Sequence, residues 1–293
     1  MTILVDKKTK LLVQGVTGKE GSFHTKSMIS YGTNILAGVT PGKAGARLET
    51  INVYDSVYDA KTEYPEINAS IIFVPAPFAA DAVYEAIDAK ISLIALISER
   101  IPSHDAIKFI DYARMKDVII LGPNCPGVIS PEESKVGIMP SQLFKKGRIG
   151  VISRSGTLTY EIAWALTRSG LGQSTALGIG GDPVTGINFL EALNLFEADI
   201  DTDAIVVIGE IGGDAEERLA DHVINRKFGK PLVAFIAGKS APPGKRMGHA
   251  GAIISAGSGT AEGKVKKFLD AGIPVATKPS DVPSLISSVL NKG

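Results

Sequence analysis

The sequence predicts an α/β protein built from two doubly wound units, and three observations predict it. Short β-branched runs alternate with stretches of helical periodicity, the alternation restarts past the middle of the chain, and 293 residues exceed what a single hydrophobic core ordinarily organises. The first strands are expected at Lys10–Gln14, Asn34–Val39, Ser70–Val74, Leu93–Ile97 and Val118–Leu121. Each is apolar apart from its ends, the pattern of a strand buried on both faces of a parallel sheet. Between them, Ala79–Ile87 returns apolar residues at three- and four-residue spacing, as a helix lying on such a sheet does. The restart supplies strands at Ile149–Ile152, Ala204–Ile208 and Leu232–Ile236, with helices over Leu158–Arg168 and Ala215–Asn225. The Pro- and Gly-containing stretch from Gly122 to Gly147 reads as the connection, and the division is placed between residues 1–124 and 125–293.

Composition removes several classes of function. An apolar fraction of 44% and a charged fraction of 21% are those of an ordinary soluble globular protein. Lys plus Arg and Asp plus Glu number 31 each, so a general polyanion binder held by phosphate neutralisation is not expected, although local basic clusters remain open. Cys125 is the single cysteine, which excludes an intramolecular disulfide framework and a multi-cysteine metal site and fits a reducing compartment. No apolar run reaches the roughly 18 residues of a membrane span. The N-terminus meets a strand-like segment after a few polar residues, leaving no room for a signal or transit peptide, and the expectation is a cytoplasmic protein or a processed organellar one.

In doubly wound sheets ligands sit beyond the carboxyl ends of the strands, so the loops there carry the functional signal. The first, Gly15-Val16-Thr17-Gly18-Lys19-Glu20-Gly21, follows a strand and opens a helix, where free amides and the helix dipole favour an anion. Its G-x-x-G-x-x-G spacing is neither the dinucleotide G-x-G-x-x-G nor a P-loop, and a tight strand-to-helix turn remains an equal reading. The second loop, Val39–Gly45, offers Lys43 where a dinucleotide fold places an acid for the ribose diol, which favours a phosphorylated ribose or a pyrophosphate. The loops Val74–Pro77 and Ile97-Ser98-Glu99-Arg100 could line an adenine slot. In the second half, Ser153-Arg154-Ser155-Gly156-Thr157 sets hydroxyls and bare amides at a helix start: an anion site, or an ordinary Ser N-cap. The hydrolase elbow G-x-S-x-G is absent, because Ser153 and Thr157 stand where it needs glycine. Glu210 ends a strand among glycines. His249 lies between Gly248 and Ala250-Gly251, just after Lys245 and Arg246. Such an imidazole can be base, nucleophile, metal ligand or a plain turn residue. A carboxylate beside it would fix its tautomer, but spacing does not say whether Glu210 meets it.

Taken together, these motifs resemble, along nearly the whole chain, the succinyl-CoA synthetase (succinate–CoA ligase) α-subunit family. The matching stretches are Gly15–His24, Gly38–Lys43, Leu121–Gly127, Ser153–Glu161, Gly209–Gly213 and Gly244–Ala252, in the family's order. One departure is Glu20, where the family more often has glutamine, in a loop whose backbone does the binding; only that side chain's contact is affected. The resemblance implies an N-terminal Rossmann-like CoA-binding domain, a C-terminal flavodoxin-like ligase domain, and a β subunit carrying an ATP-grasp fold. It implies that Thr17, Gly18, Lys19 and Glu20 hold the CoA pyrophosphate, that Lys43 meets a CoA phosphate, and that Ile97, Ser98 and Glu99 flank its nucleotide end. His249 would be the phosphohistidine, Glu210 the partner of its other ring nitrogen, Ser155, Gly156 and Thr157 the phosphate-binding helix start, and Tyr160 a neighbour of the carboxylate substrate. The implied reaction, a step of the tricarboxylic acid cycle, converts succinyl-CoA, phosphate and ADP or GDP through succinyl phosphate. The nucleotide and Mg2+ belong to the partner subunit, with no metal, nucleic acid or membrane bound by this chain. A non-enzymatic CoA-binding regulatory module and an ADP-forming acyl-CoA synthetase for another acid are the alternatives. Cys125 is expected near the thiol end of CoA, as a buried small residue.

Overall fold

The structure, a computed structural model, describes residues 3–291 apart from 227, 243, 246 and 255–258, so Arg246 lies outside the described residues. The first half runs β1 (Leu11–Gln14), α1 (Lys19–Tyr31), β2 (Ile35–Val39), β3 (Arg47–Leu48), β4 (Ile51–Tyr54), α2 (Val57–Glu63), β5 (Ala69–Ile72), α3 (Ala76–Asp88), β6 (Leu93–Leu96), α4 (Ser103–Met115) and β7 (Ile119–Leu121). Among the described residues these strands form one sheet in the order β3-β4-β2-β1-β5-β6-β7, parallel except for β3. The chain winds outward from β1 in both directions. Strand order therefore reverses between β1 and β5, which pair Gln14 with Ile72, and a crevice opens beyond their carboxyl ends.

The second half runs β8 (Gly127–Ser130), β9 (Ser134–Gly137), β10 (Lys146–Ser153), α5 (Gly156–Arg168), β11 (Gln173–Gly178), α6 (Phe189–Ala198), β12 (Ala204–Glu210), α7 (Ala215–Arg226), β13 (Leu232–Ala237), α8 (Ala261–Asp270), β14 (Val275–Ala276) and α9 (Val282–Leu290). Its sheet has the order β14-β13-β12-β10-β11-β8-β9. The five strands from β14 to β11 are parallel, and β10 stands between β11 and β12, the switch point of a flavodoxin-like sheet. The α/β doubly wound expectation holds in both halves.

Besides the short strands β3, β4 and β14, which were not expected, two features depart from the expected layout. The stretch from Gly122 to Gly147 is no loose connection: it holds the hairpin β8–β9, whose two strands are buried along their length and whose β8 pairs antiparallel with β11. Its glycines hid it. A Cβ on Gly127 would sit 2.1 Å from the Val136 carbonyl oxygen, so close strand approach fixes a residue type that strand propensity disfavours. Strand β11, Gln-Ser-Thr-Ala-Leu-Gly, was hidden by its polarity. All six residues are buried because the polar groups satisfy one another: Ser130 with Thr175 at 2.7 Å, Ser174 with Thr202 at 2.6 Å, and Gln173 Nε2 donating to the Ala163 carbonyl at 3.0 Å.

The two sheets share a hydrophobic cluster that runs from Val13 and Leu121 through Val128 to Leu177 and Phe196. A polar joint supplements it. Thr33, just past α1, donates its hydroxyl to the Lys135 carbonyl at 2.8 Å, and the Lys135 ammonium, buried on β9, donates to Ser27 Oγ at 2.9 Å.

Candidate functional site

Both switch points carry a candidate site. At the first, Gly15 turns the chain with φ 78°, and Gly18 N-caps α1 without a side-chain bond, leaving the first-turn amides without a side-chain cap. Gly21 is needed because a Cβ there would lie 2.1 Å from the Gly15 carbonyl oxygen. The crevice is a cavity of about 870 Å³ lined by Thr17, Gly18, Lys19 and Glu20, with Thr40 and Pro41 on one side and Phe73, Phe78 and Glu85 on the other. Thr17 donates its hydroxyl to Thr40 at 3.1 Å, fixing the loop to the end of β2. The Glu20 carboxylate lies 3.7 Å from His24, one turn along α1. Lys43 is exposed beyond Pro41, its backbone N–H bound to Asp55 at 3.0 Å, and it does not line the cavity. Ile97, Ser98 and Glu99 lie one strand further out: the Ser98 hydroxyl donates to the Val74 carbonyl at 2.5 Å, touching the cavity wall from behind.

At the second switch point, β12 delivers Glu210 and the loop after β13 delivers His249. The imidazole Nδ1 lies 3.0 and 2.9 Å from the two oxygens of Glu210, across 39 residues of chain. An ionised carboxylate only accepts, so Nδ1 carries the proton and the neutral ring keeps its lone pair on Nε2. The histidine side chain is 26% exposed whereas Glu210 is 8% exposed, which leaves the ring approachable and the carboxylate shielded. The hydrogen bond to Glu210 raises the imidazole pKa above its ordinary value; burial and the Arg154 charge oppose that shift. Gly181 makes room for the ring, since a Cβ there would fall 2.2 Å from His249 Cγ.

Beside this pair, Ser155 caps α5, its hydroxyl accepting the Leu158 N–H at 3.4 Å. A Cβ on Gly156 would meet first the Tyr160 hydroxyl, at 3.6 Å, and Pro126, so the helix start is uncrowded. Burial pushes the Tyr160 phenol up to about 12, with Cys125 contributing, and burial alike pushes the Cys125 thiol up to about 12. A thiol so buried, 3.5 Å from the Leu96 carbonyl, packs rather than reacts.

Sequence reasoning had missed the surrounding frame: Arg154 as more than a loop residue, Gly181, Asp182, Glu216 and Lys264. One signal was present. Ile-Gly-Gly-Asp occurs twice, at 179–182 and 211–214, and the two copies flank His249 from the ends of β11 and β12.

The CoA binding domain family matches residues 6–100, and the CoA-ligase family matches residues 152–273. The alpha 2 subunit of the ADP-forming succinate–CoA ligase of Archaeoglobus fulgidus is 55% identical over 292 residues, covering 99% of this chain and 100% of its own. The chain belongs to the succinate–CoA ligase alpha-subunit family. The corresponding alpha subunit of Methanothermobacter thermautotrophicus is 54% identical over 98% of this chain and 97% of its own length. Among solved structures, the ATP citrate lyase of Methanosaeta concilii in complex with (3S)-citryl-CoA superposes with a TM-score of 0.90 at 26% identity, over 99% of this chain and 51% of that longer one. An acetyl-coenzyme A synthetase of Ca. Korarchaeum cryptofilum, 20% identical with a TM-score of 0.74 over 92% of this chain and 58% of its own, shares the fold of the succinate–CoA ligase alpha subunits.

Proposed function

We propose that the chain is the alpha subunit of a succinate–CoA ligase, acting with a beta subunit through a phosphohistidine at His249. The carrying observation is the Nδ1–Glu210 pair, which leaves Nε2 nucleophilic at a switch point next to an open helix start. Residues 1–124 would bind CoA and residues 125–293 would carry the ligase chemistry. Inorganic phosphate attacks the thioester carbonyl of succinyl-CoA, the C–S bond breaks and CoA leaves, giving succinyl phosphate. His249 Nε2 then attacks phosphorus, the P–O bond to the succinyl carboxylate breaks, and succinate departs. The amides of Gly156 and Thr157 at the α5 start stabilise the phosphoryl charge of about −2, beside the Ser155 cap. Tyr160, over the same helix start, borders the carboxylate.

CoA lies in the first cavity, its pyrophosphate on Thr17, Gly18, Lys19 and Glu20. The exposed Lys43 reaches a ligand phosphate, and Ile97, Ser98 and Glu99 flank the nucleotide end from the adjoining strand. Among the described residues no three His, Cys, Asp or Glu side chains converge as a metal site, and Mg2+ is assigned with ADP or GDP to the beta subunit. A cytoplasmic setting accompanies this reading; no described helix is long and apolar enough to cross a membrane.

The test reconstitutes the chain with its beta subunit and follows acid-labile phosphate from succinyl-CoA and inorganic phosphate. Incorporation is expected and is lost in His249→Asn; a variant that still takes up acid-labile phosphate defeats the assignment. Turnover with succinate should exceed that with acetate or citrate, and the reverse order would give the chain to a different acyl-CoA synthetase.

A further inference from the structure

Arg154 stands behind the Glu210–His249 pair with a set of contacts that capping of α5 does not require. The residue follows β10 immediately before the Ser155 cap, and its side chain is 9% exposed. Nη2 lies 3.5 Å from Glu210 Oε1; Nη1 donates to Glu216 Oε1 at 3.2 Å and to the Gly212 carbonyl at 3.2 Å. A Cβ on Gly251 would come within 2.9 Å of Nη2, so the guanidinium also lies against the backbone of the histidine loop. One side chain thus touches the first turn of α7, the Glu210 carboxylate and the histidine loop.

Glu216 fixes it there. This carboxylate is wholly buried: Oε1 accepts the Glu210 backbone N–H at 3.1 Å as well as Arg154, and Oε2 accepts the Lys264 ammonium at 2.5 Å. Lys264 is itself held by Glu217 at 2.9 Å and by the Gly213 carbonyl at 3.1 Å. Buried ion pairs of this kind add little net stability over apolar packing, because desolvation offsets the attraction. Their fixed geometry and fixed charge are what apolar side chains could not replace.

From this geometry we propose that Arg154 is a positioning residue for phosphoryl transfer: locked by Glu216, it holds the Glu210 carboxylate on Nδ1 of His249. The proposal rests on the phosphohistidine reading above. Its physical content is a balance. Glu210 fixes the tautomer, but a lone buried carboxylate would also favour the imidazolium, which has no nucleophilic lone pair. The adjacent guanidinium opposes that protonation while leaving the hydrogen bond intact. The charged groups bearing on the ring are Glu210 from β12, Arg154 after β10 and Asp182 after β11, with Glu216 of α7 and Lys264 of α8 behind them.

The test is the titration of His249 in the reconstituted heteromer, with isotopically labelled histidine in this chain and the His249 resonance assigned by its loss in His249→Asn. Arg154→Met should move the titration upward by about one pH unit, moving the acid limb of the phosphorylation rate with it, about a tenfold loss on that limb. Arg154→Lys should bring both back toward the parent. Arg154→Gln, which keeps hydrogen-bond donors without the charge, serves if the methionine variant does not fold and should shift the same way. An unmoved titration in the Met and Gln variants, or a Lys variant shifted as far as Met, overturns the proposal. Because the titration needs no turnover, it stays readable even if His249→Asn retains acid-labile phosphate, the result that would sink the phosphohistidine reading instead.

Discussion

At the scale of single residues, His249 is defined by what touches it rather than by its neighbours in sequence. A carboxylate on Nδ1 and a glycine under the ring determine both the tautomer and the place of Nε2. Gly181→Ala puts a methyl 2.2 Å from Cγ, and the ring must move. A displacement of about 1 Å in a reacting atom costs roughly a hundredfold, so phosphohistidine formation should fall by about that factor while the circular dichroism spectrum of the variant stays that of the parent. Raised basicity sets the pH dependence. On the proposed phosphohistidine reading the neutral ring is the nucleophile, so the phosphorylation rate should rise with pH through an apparent pKa above the ordinary histidine value, and a limb below that value would contradict the Glu210 pairing. The same shift makes the His249–Glu210 pair stabilising below the unfolded-state pKa, a contribution lost as pH rises through the folded one.

At the scale of elements, the two helix starts do different work. Ser155 Oγ accepts the Leu158 N–H, so α5 is capped while the hydroxyl proton and the backbone amides of the helix start can still be offered to an anion. Gly18 caps α1 with no side chain at all, and the loop before it is compressed until Gly21 touches the Gly15 carbonyl. Gly21→Ala should open that loop and weaken CoA binding at least about tenfold by calorimetry in the reconstituted heteromer, since the amides would no longer converge. Unchanged affinity would place the pyrophosphate elsewhere in the cavity.

At the scale of the whole molecule, α1 is tied to the second sheet through Lys135. Its ammonium sits buried against Ser27 and 5.7 Å from the Tyr31 ring, and burial lowers its pKa to about 8. The sign of the consequence is fixed. Between about pH 8 and the ordinary lysine range, the unfolded chain binds a proton at Lys135 that the folded one has shed, so stability to urea measured relative to Lys135→Met should climb with pH across that window, whatever the opposite contribution of the buried Cys125 thiol. A difference between the two proteins that stays flat with pH would show that Lys135 does not titrate there.

The residues proposed for a phosphohistidine site came from the family resemblance, whereas the sequence by itself determined the α/β class, the buried strands and the glycine- and serine-bearing loops that open α1 and α5. Those properties are local: burial on two faces writes a continuous apolar run, and a helix start under a tight turn demands glycine or a capping hydroxyl. The hairpin β8–β9 escaped because close strand approach puts glycine where strand propensity disfavours it, and strand β11 escaped because its polar residues are satisfied by partners far away in the chain, Thr202 for Ser174 and Ser130 for Thr175. For the same reason only the tertiary structure decided that Glu210 meets His249 across 39 residues and that Arg154 meets Glu216 across 62. The order of strands around β10 brings those loops to one edge, and side-chain packing there, not any short-range pattern, chooses which charges touch.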